Sequence, residues 1–391
     1  MTEVSKELVE TAEHAVTPLE LFFDLVFVFA ITQVTSLITH DPTWRGVFHG
    51  LLVLAAVWWA WTGYAWLTST LDVDEGVVRI VMLAAMAGML GVALAVPGAF
   101  GTDAVLFGFS YLLVRLLHVV LYAYAVRDEP DLLAALLRLA PAEVVGAVLI
   151  AGAGFLSGDV RIAVWILALA VDYTGPALVA LRGWRIAPEH FAERHGLIVL
   201  IALGESIIAI GVGAGFSLTA GVIVGAALGV VVVSALWWLY FDVAAIIARI
   251  RLVDARGLDQ IRLARDAYSY LHLPIIAGIV LFAYGLKTTL HHVDATLDLV
   301  AASALCGGAA LYLLGHVAFL FRATRRIFRR RSIGGVVLVL LIPAAAAIPA
   351  LAALALVSAV CSFVVAYEAL RHRSHRTQLR HPELADDRAP A

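Results

Sequence analysis

Residues 332–370 read SIGGVVLVLLIPAAAAIPALAALALVSAVCSFVVAYEAL, one unbroken apolar stretch with Pro343 and Pro349 near its middle. A helix needs about 20 mainly apolar residues to cross a bilayer. The stretch therefore reads as two short spans or as one long kinked helix. The choice decides whether the chain crosses a membrane an even or an odd number of times.

Working back from it, apolar runs of membrane length fall at 18–39, 47–69, 77–98, 103–126, 132–156, 160–181, 191–214, 218–247, 267–287 and 297–321. With 333–348 and 350–370 counted as two more, there are twelve. The arginines favour that count. One side then receives Lys6, Arg127, Arg182, Arg185, Arg194, the basic 249–265 loop, the cluster RATRRIFRRR (322–331) and the tail arginines from Arg371 to Arg388. The other side receives only Arg45, Arg161 and Lys287. Excess Lys and Arg mark the cytoplasmic side, so both termini are expected there. Eleven spans would put the tail arginines on the opposite side, and that reading is rejected.

Composition agrees. The 391 residues are 62% hydrophobic and 15% charged, against about 45–50% and 25% for a soluble domain. The expected fold is an all-α polytopic membrane protein. A net charge of −3, without basic runs interleaved with aromatics, argues against nucleic acid. Cys306 and Cys361 lie far apart in apolar runs and read as small buried hydrophobes. Residues 1–17 lack the basic start and apolar core of a cleavable signal, so the first span is expected to stay in the mature protein.

The chain also reads as two similar halves. WWAWTGYA (58–65) aligns with WWLYFDVA (237–244), and LLHVVLYAYAVR (116–127) with LGHVAFLFRATR (314–325). Glu20 matches Glu193, and Pro141 matches Pro343, with the offset growing from 173 to 202 residues. This predicts a parallel six-plus-six duplication: a cytoplasmic segment 1–17, a first half 18–181, a linker 182–190, a second half 191–370 and a polar cytoplasmic tail 371–391. Parallel repeats occur in transporters, with the substrate near the midplane. They also occur in channels.

Polar residues inside the spans are the functional candidates, because a charge there is costly unless something binds, moves or pairs with it. Thr17-Pro18-Leu19-Glu20 reads as a capping box, which gives Glu20 a structural reason. Asp24 lies one turn deeper, about 9 Å from Pro18, and the cap does not explain it. In ERHGLIVLIALGESIIAIGVGAG (193–215), Glu205 falls about 18 Å beyond Glu193 and, with Ser206, reads as a proton or cation site. Arg115, His118, Glu143 and Asp172 are the other candidates. Arg115, the only arginine well inside a span, needs a carboxylate, with Asp24 or Glu143 the obvious choices. His118 and His316 at matched positions read as common descent rather than as a metal or haem pair. The tryptophans of 58–66 and 237–238 read as an interfacial belt, or else as walls of a pocket. No phosphate loop, zinc motif, nucleophile elbow or soluble domain appears, so neither enzyme activity nor a cofactor is expected.

PLELFFDLVFVFAITQ (18–33), the tryptophan-rich second span and HFAERHGLIVLIALGESIIAIG (190–211) resemble the bacterial low temperature requirement protein A family over residues 15–370. The resemblance implies a polytopic inner-membrane protein linked by name to growth in the cold. It singles out Glu20, Phe23, Asp24, Glu193, Arg194, His195, Gly204, Glu205 and Ser206. The Phe-x-Asp of the first span is also distantly similar to potassium channels that carry Phe-Ser-Asp there, although here it occurs in the first half only.

The leading expectation is a secondary transporter, proton- or cation-coupled, for a small solute or ion. Asp24 and Glu205 would handle charge, with Arg115 as counter-ion. The alternatives are a non-transporting structural or lipid-interacting factor and, third, a channel.

Overall fold

Thr17 is extended, its hydroxyl accepts the Glu20 amide at 3.3 Å, and the Glu20 carboxylate accepts the Thr17 amide at 3.0 Å. With Pro18 in the first turn, this is the capping box expected from the sequence. It starts α1, Pro18–His40.

The computed structural model describes residues 16–70, 76–178, 181–215 and 218–371. The segment 1–15 and the tail 372–391, with Lys6 and the tail arginines beyond Arg371, lie outside the described residues, so the expectations placed on them have no structural counterpart. The described regular structure is helical throughout, apart from an isolated bridge between Thr296 and Pro349.

After α1 come α2 (Trp44–Thr68), α3 (Gly76–Ala95), α4 (Ala104–Ala125), α5 (Pro130–Ala153), α6 (Gly158–Leu178) and α7 (Pro188–Ala214). Next, α8 (Ala220–Leu239) continues through a π turn, Tyr240–Ala244, into α9 (Ala245–Asp254). Likewise α10 (Gly257–Leu263) continues through a π turn, Ala264–Tyr270, into α11 (His272–His291). The chain ends with α12 (Leu299–Thr324), α13 (Arg329–Leu340), α14 (Ile342–Ala345) and α15 (Ala350–Arg371).

Among the described residues, eleven helices are long and apolar enough to cross a membrane, not twelve. The exception is 333–348. It forms α13, whose 12 residues rise about 18 Å, against a hydrocarbon core of about 30 Å, and the four-residue α14. Pro343, which cannot donate an amide hydrogen, stands where the helix breaks. The choice left open by the sequence falls to separate helices. Arg331, near the start of α13, forms a two-pronged pair with Glu368, near the end of α15, at 3.0 and 2.9 Å. The two segments thus run antiparallel, joined by a short turn after α14.

A second difference concerns the basic 249–265 loop. Most of it is helical, because α9 and α10 prolong their neighbours, and only a tight turn separates them. Gly257 takes φ +55°, a conformation that favours glycine, and Gln260 donates to the carbonyls of Leu252 and Ala255, both at 3.0 Å. GLDQ (257–260) is therefore a turn lock.

The chain divides into one unit comprising residues up to Ile201 with Leu252–Leu273, and another comprising Ala202–Arg251 with residues from Pro274 onward. In the first, α1 packs on α2 and α3, α4 lies between α3 and α5, and α5 packs on α6. In the second, α12 packs on α13, and α15 packs on α8. There α11 and α12 approach backbone to backbone, since a Cβ on Gly308 would collide with the Phe282 amide nitrogen. Large apolar side chains such as Ile80, Phe155 and Phe363 are about two-thirds exposed or more. In water so many would be an aggregation surface, and in a bilayer they face lipid.

Candidate functional site

The capping carboxylate of α1 has a second task. Glu20 and Asp24 lie one turn apart on α1, and His190 and Arg194 lie one turn apart on α7. The two pairs meet. Glu20 accepts from His190 Nε2 at 3.1 Å and from Arg194 Nη1 at 3.2 Å, while Asp24 Oδ1 accepts from Arg194 Nη2. Trp61 of α2 donates to the same Asp24 oxygen at 2.8 Å, and Arg194 also donates to Thr68 Oγ1 at 2.7 Å. Asp24 and Arg194 are fully buried, and Asp24 Oδ2 has no hydrogen-bond partner.

A second cluster of the same composition stands on α4, α5 and α6. Arg115 donates to Asp172 at 3.1 Å and lies 3.5 Å from Glu143, whose Oε2 also bonds His118 Nδ1 at 3.1 Å. Arg115 further donates to the Trp59 carbonyl at 3.2 Å. Each cluster holds one Glu, one Asp, one Arg and one His. In each the histidine takes the Glu, and one Asp oxygen, Oδ2 of Asp24 and of Asp172, is left without a hydrogen bond. Close backbone packing permits the second cluster: a Cβ on Gly146 would meet the Asp172 carboxyl at 2.7 Å, and one on Gly63 the His118 ring at 3.1 Å.

Trp58, Trp59 and Trp61 of α2 are buried and Trp66 is half-buried, so these four act as walls rather than as a membrane-surface belt. Trp59 and Trp66 line a cavity with Tyr122, Trp184, Glu143 and Arg115. It encloses about 620 Å³ of empty space counted to its open mouth. The π turn Ala264–Tyr270 contributes a further wall: the Ser269 carbonyl accepts from Trp58 at 2.7 Å, and the Ser269 hydroxyl accepts from Trp66 at 2.9 Å. π turns of this kind recur at functional sites.

The structure thus gathers Glu20, Asp24 and Arg194 in one cluster and Arg115, His118, Glu143 and Asp172 in the other. Of the two carboxylates expected beside Arg115, Glu143 is there. Asp24 is not, because it belongs to Arg194, and Asp172 takes its place. Arg194 is no loop arginine. Since α7 begins at Pro188, Arg194 sits inside the helix and is buried. Phe23 is buried against Tyr64, and His195 donates to or accepts from no charged group but packs its ring on Trp61 at 4.9 Å. Glu193, next to Arg194 on α7, is exposed.

Glu205 and Ser206 lie further along α7, both buried, in the second unit. Gly204 has open space at its Cβ position. In that unit His316 packs on Tyr312 and Tyr240. Among the described residues no three His, Cys, Asp or Glu are grouped to hold a metal. Residues missed by the sequence reading are His190, Trp184 and Ser269. Only His190 carried a signal, since its four-residue spacing to Arg194 mirrors that of Glu20 to Asp24.

The family model described as bacterial low temperature requirement A protein (LtrA) matches residues 15–366. An uncharacterized protein of Rhizobium meliloti (strain 1021) is 30% identical over 328 residues, covering 81% of this chain and 80% of the relative.

Proposed function

The chain belongs to the bacterial low temperature requirement A family, and from that premise we propose that it is a secondary transporter of a small solute or ion, coupled to protons or cations. The observation that carries the reading is the make-up of the two buried clusters. In each, two carboxylates face one arginine, which leaves one net negative charge when the histidine is neutral. An uncompensated charge in an apolar interior is costly, so each cluster favours uptake of one proton or one cation. The aromatic-walled cavity beside Glu143 then serves as the substrate chamber. Glu205 with Ser206 is the corresponding charge-handling site of the second unit.

The finer topology belongs to the same proposal. Taking α13 with α14 as an interrupted eleventh crossing, antiparallel to α15, keeps twelve crossings in two duplicated halves. The arginine excess then puts both termini in the cytoplasm of a bacterial inner membrane. The protein acts without enzymatic chemistry of its own, and without nucleic acid.

A second reading has its own support. The clusters tie α1 to α7 and α4 to α5 and α6, as expected of a non-transporting structural membrane factor in which the charges only hold helices.

The test is flux in liposomes containing the purified full chain, with an internal pH dye and a clamped membrane potential. We expect flux under imposed proton or cation gradients, lost in Asp24→Asn, Glu143→Gln and Glu205→Gln variants that remain folded. Absence of flux under every gradient would turn the assignment to the structural reading.

A further inference from the structure

The second unit contains a basic cavity that the transport reading does not use. Arg326, Arg329, Arg330 and Arg331 line it, against two carboxylates, Asp242 and Glu368. The balance is two positive charges. It encloses about 1230 Å³ of empty space counted to its open mouth.

Three observations point to an anionic occupant. Arg331 is 3% exposed and spends Nε and Nη2 on Glu368, while its buried Nη1 has no hydrogen-bond partner. A buried, charged donor left unpaired is costly and calls for an acceptor. Arg326 and Arg329 have no carboxylate partner among the described residues, and Arg330 lies over the Tyr367 ring at 4.5 Å. Finally, α13 begins at Arg329, and its cap residue Phe328 supplies no side-chain hydrogen bond, so the first amides of a 12-residue helix are open to an anion.

The walls say what carries the anion. Ile327, which lines the cavity, is 65% exposed, and Trp238 and Tyr367 flank it with rings suited to the headgroup layer. Charge beside exposed apolar surface fits a phosphate attached to an acyl chain better than a free phosphate. We propose that this cavity binds the phosphodiester headgroup of an anionic phospholipid. The site is independent of whether the protein transports.

The experiment is native mass spectrometry of the full-length protein released from nanodiscs made of equal parts phosphatidylglycerol and phosphatidylcholine. Wild type is expected to retain phosphatidylglycerol in preference to phosphatidylcholine. The double variant Arg326→Gln, Arg329→Gln is expected to lower that preference by about 25-fold, roughly fivefold per arginine. Arg182→Gln, a basic residue elsewhere, should leave it unchanged. Both substituted arginines are exposed, and an unaltered melting temperature will show that the double variant is folded. Equal retention of the two lipids, or an unchanged preference in the double variant, overturns the proposal. So does retention of inorganic phosphate in place of lipid when the protein is supplied with phosphate in neutral detergent, which would make this a free-phosphate site.

Discussion

Arg194 and Asp24, 170 residues apart in sequence, form a fully buried ion pair, and Arg194 reaches back one helical turn to hold Glu20 as well. One guanidinium thus joins α1 to α7. Removing it leaves two buried carboxylates without their guanidinium, Glu20 keeping His190 and the Thr17 cap and Asp24 keeping Trp61. Arg194→Gln is therefore expected to destabilise the protein by about 3–5 kcal/mol. A thiol-reactive dye can follow this, because Cys306 and Cys361 are free and buried and become reactive on unfolding. The double variant Arg194→Gln, Asp24→Asn should melt above the sum of the two single losses, since it removes the stranded charge together with its partner.

The second cluster depends on a glycine. Gly146→Ala would drive a methyl group to 2.7 Å from the Asp172 carboxyl and push it from Arg115. We expect about 1–3 kcal/mol of lost stability and a loss of flux. Gly204→Ala, with open space at its Cβ, serves as the neutral control. Equal behaviour of the two variants would refute the packing argument.

Arg331 and Glu368 test the antiparallel arrangement of α13 and α15. Either charge reversal alone, Arg331→Glu or Glu368→Arg, is expected to lower the melting temperature, because each places like charges together in a partly buried site. The swapped double variant should recover most of the loss. Failure to recover would mean that the pair does not hold the two helices.

Entry to the aromatic cavity is measurable by cysteine labelling. Trp184 stands between Trp66 and Tyr122, at ring distances of 5.7 and 5.8 Å, and is partly exposed. Trp184→Cys should react with a small methanethiosulfonate in the folded protein, whereas the buried native cysteines should not. A Trp184→Cys variant as inert as wild type would mean that the cavity is closed at that wall.

Topology is tested by sidedness. Cysteines placed at Arg45, in the first turn of α2, and at Arg182, between α6 and α7, should label from opposite faces of oriented vesicles, with position 182 on the cytoplasmic face. Labelling from one face would overturn the arginine-based orientation.

The features legible in the sequence were local ones. The Thr17–Glu20 box was readable because a cap involves residues three apart, and eleven spans were readable because hydropathy over about 20 residues suffices. The segment 333–348 has the composition of a span but not the continuity, and its prolines decide that. Arg194 was misjudged for a related reason. Counting arginines along the chain takes no account of burial: Arg194 lies within the apolar run 191–214 but was counted with the loop before it, and in the helix it is buried.

The sequence by itself determined that this is a helical membrane protein and that Asp24, Arg115, Glu143, Asp172 and Glu205 could not lie unpaired in an apolar interior. That follows from composition and from the cost of burying charge, neither of which requires a fold. Tertiary structure alone decided who pairs with whom: Asp24 with Arg194, Arg115 with Asp172 and Glu143, and Trp58 and Trp66 with Ser269. A buried charge takes whichever partner helix packing brings within about 3 Å, and that depends on the rotation and register of helices far apart in the chain.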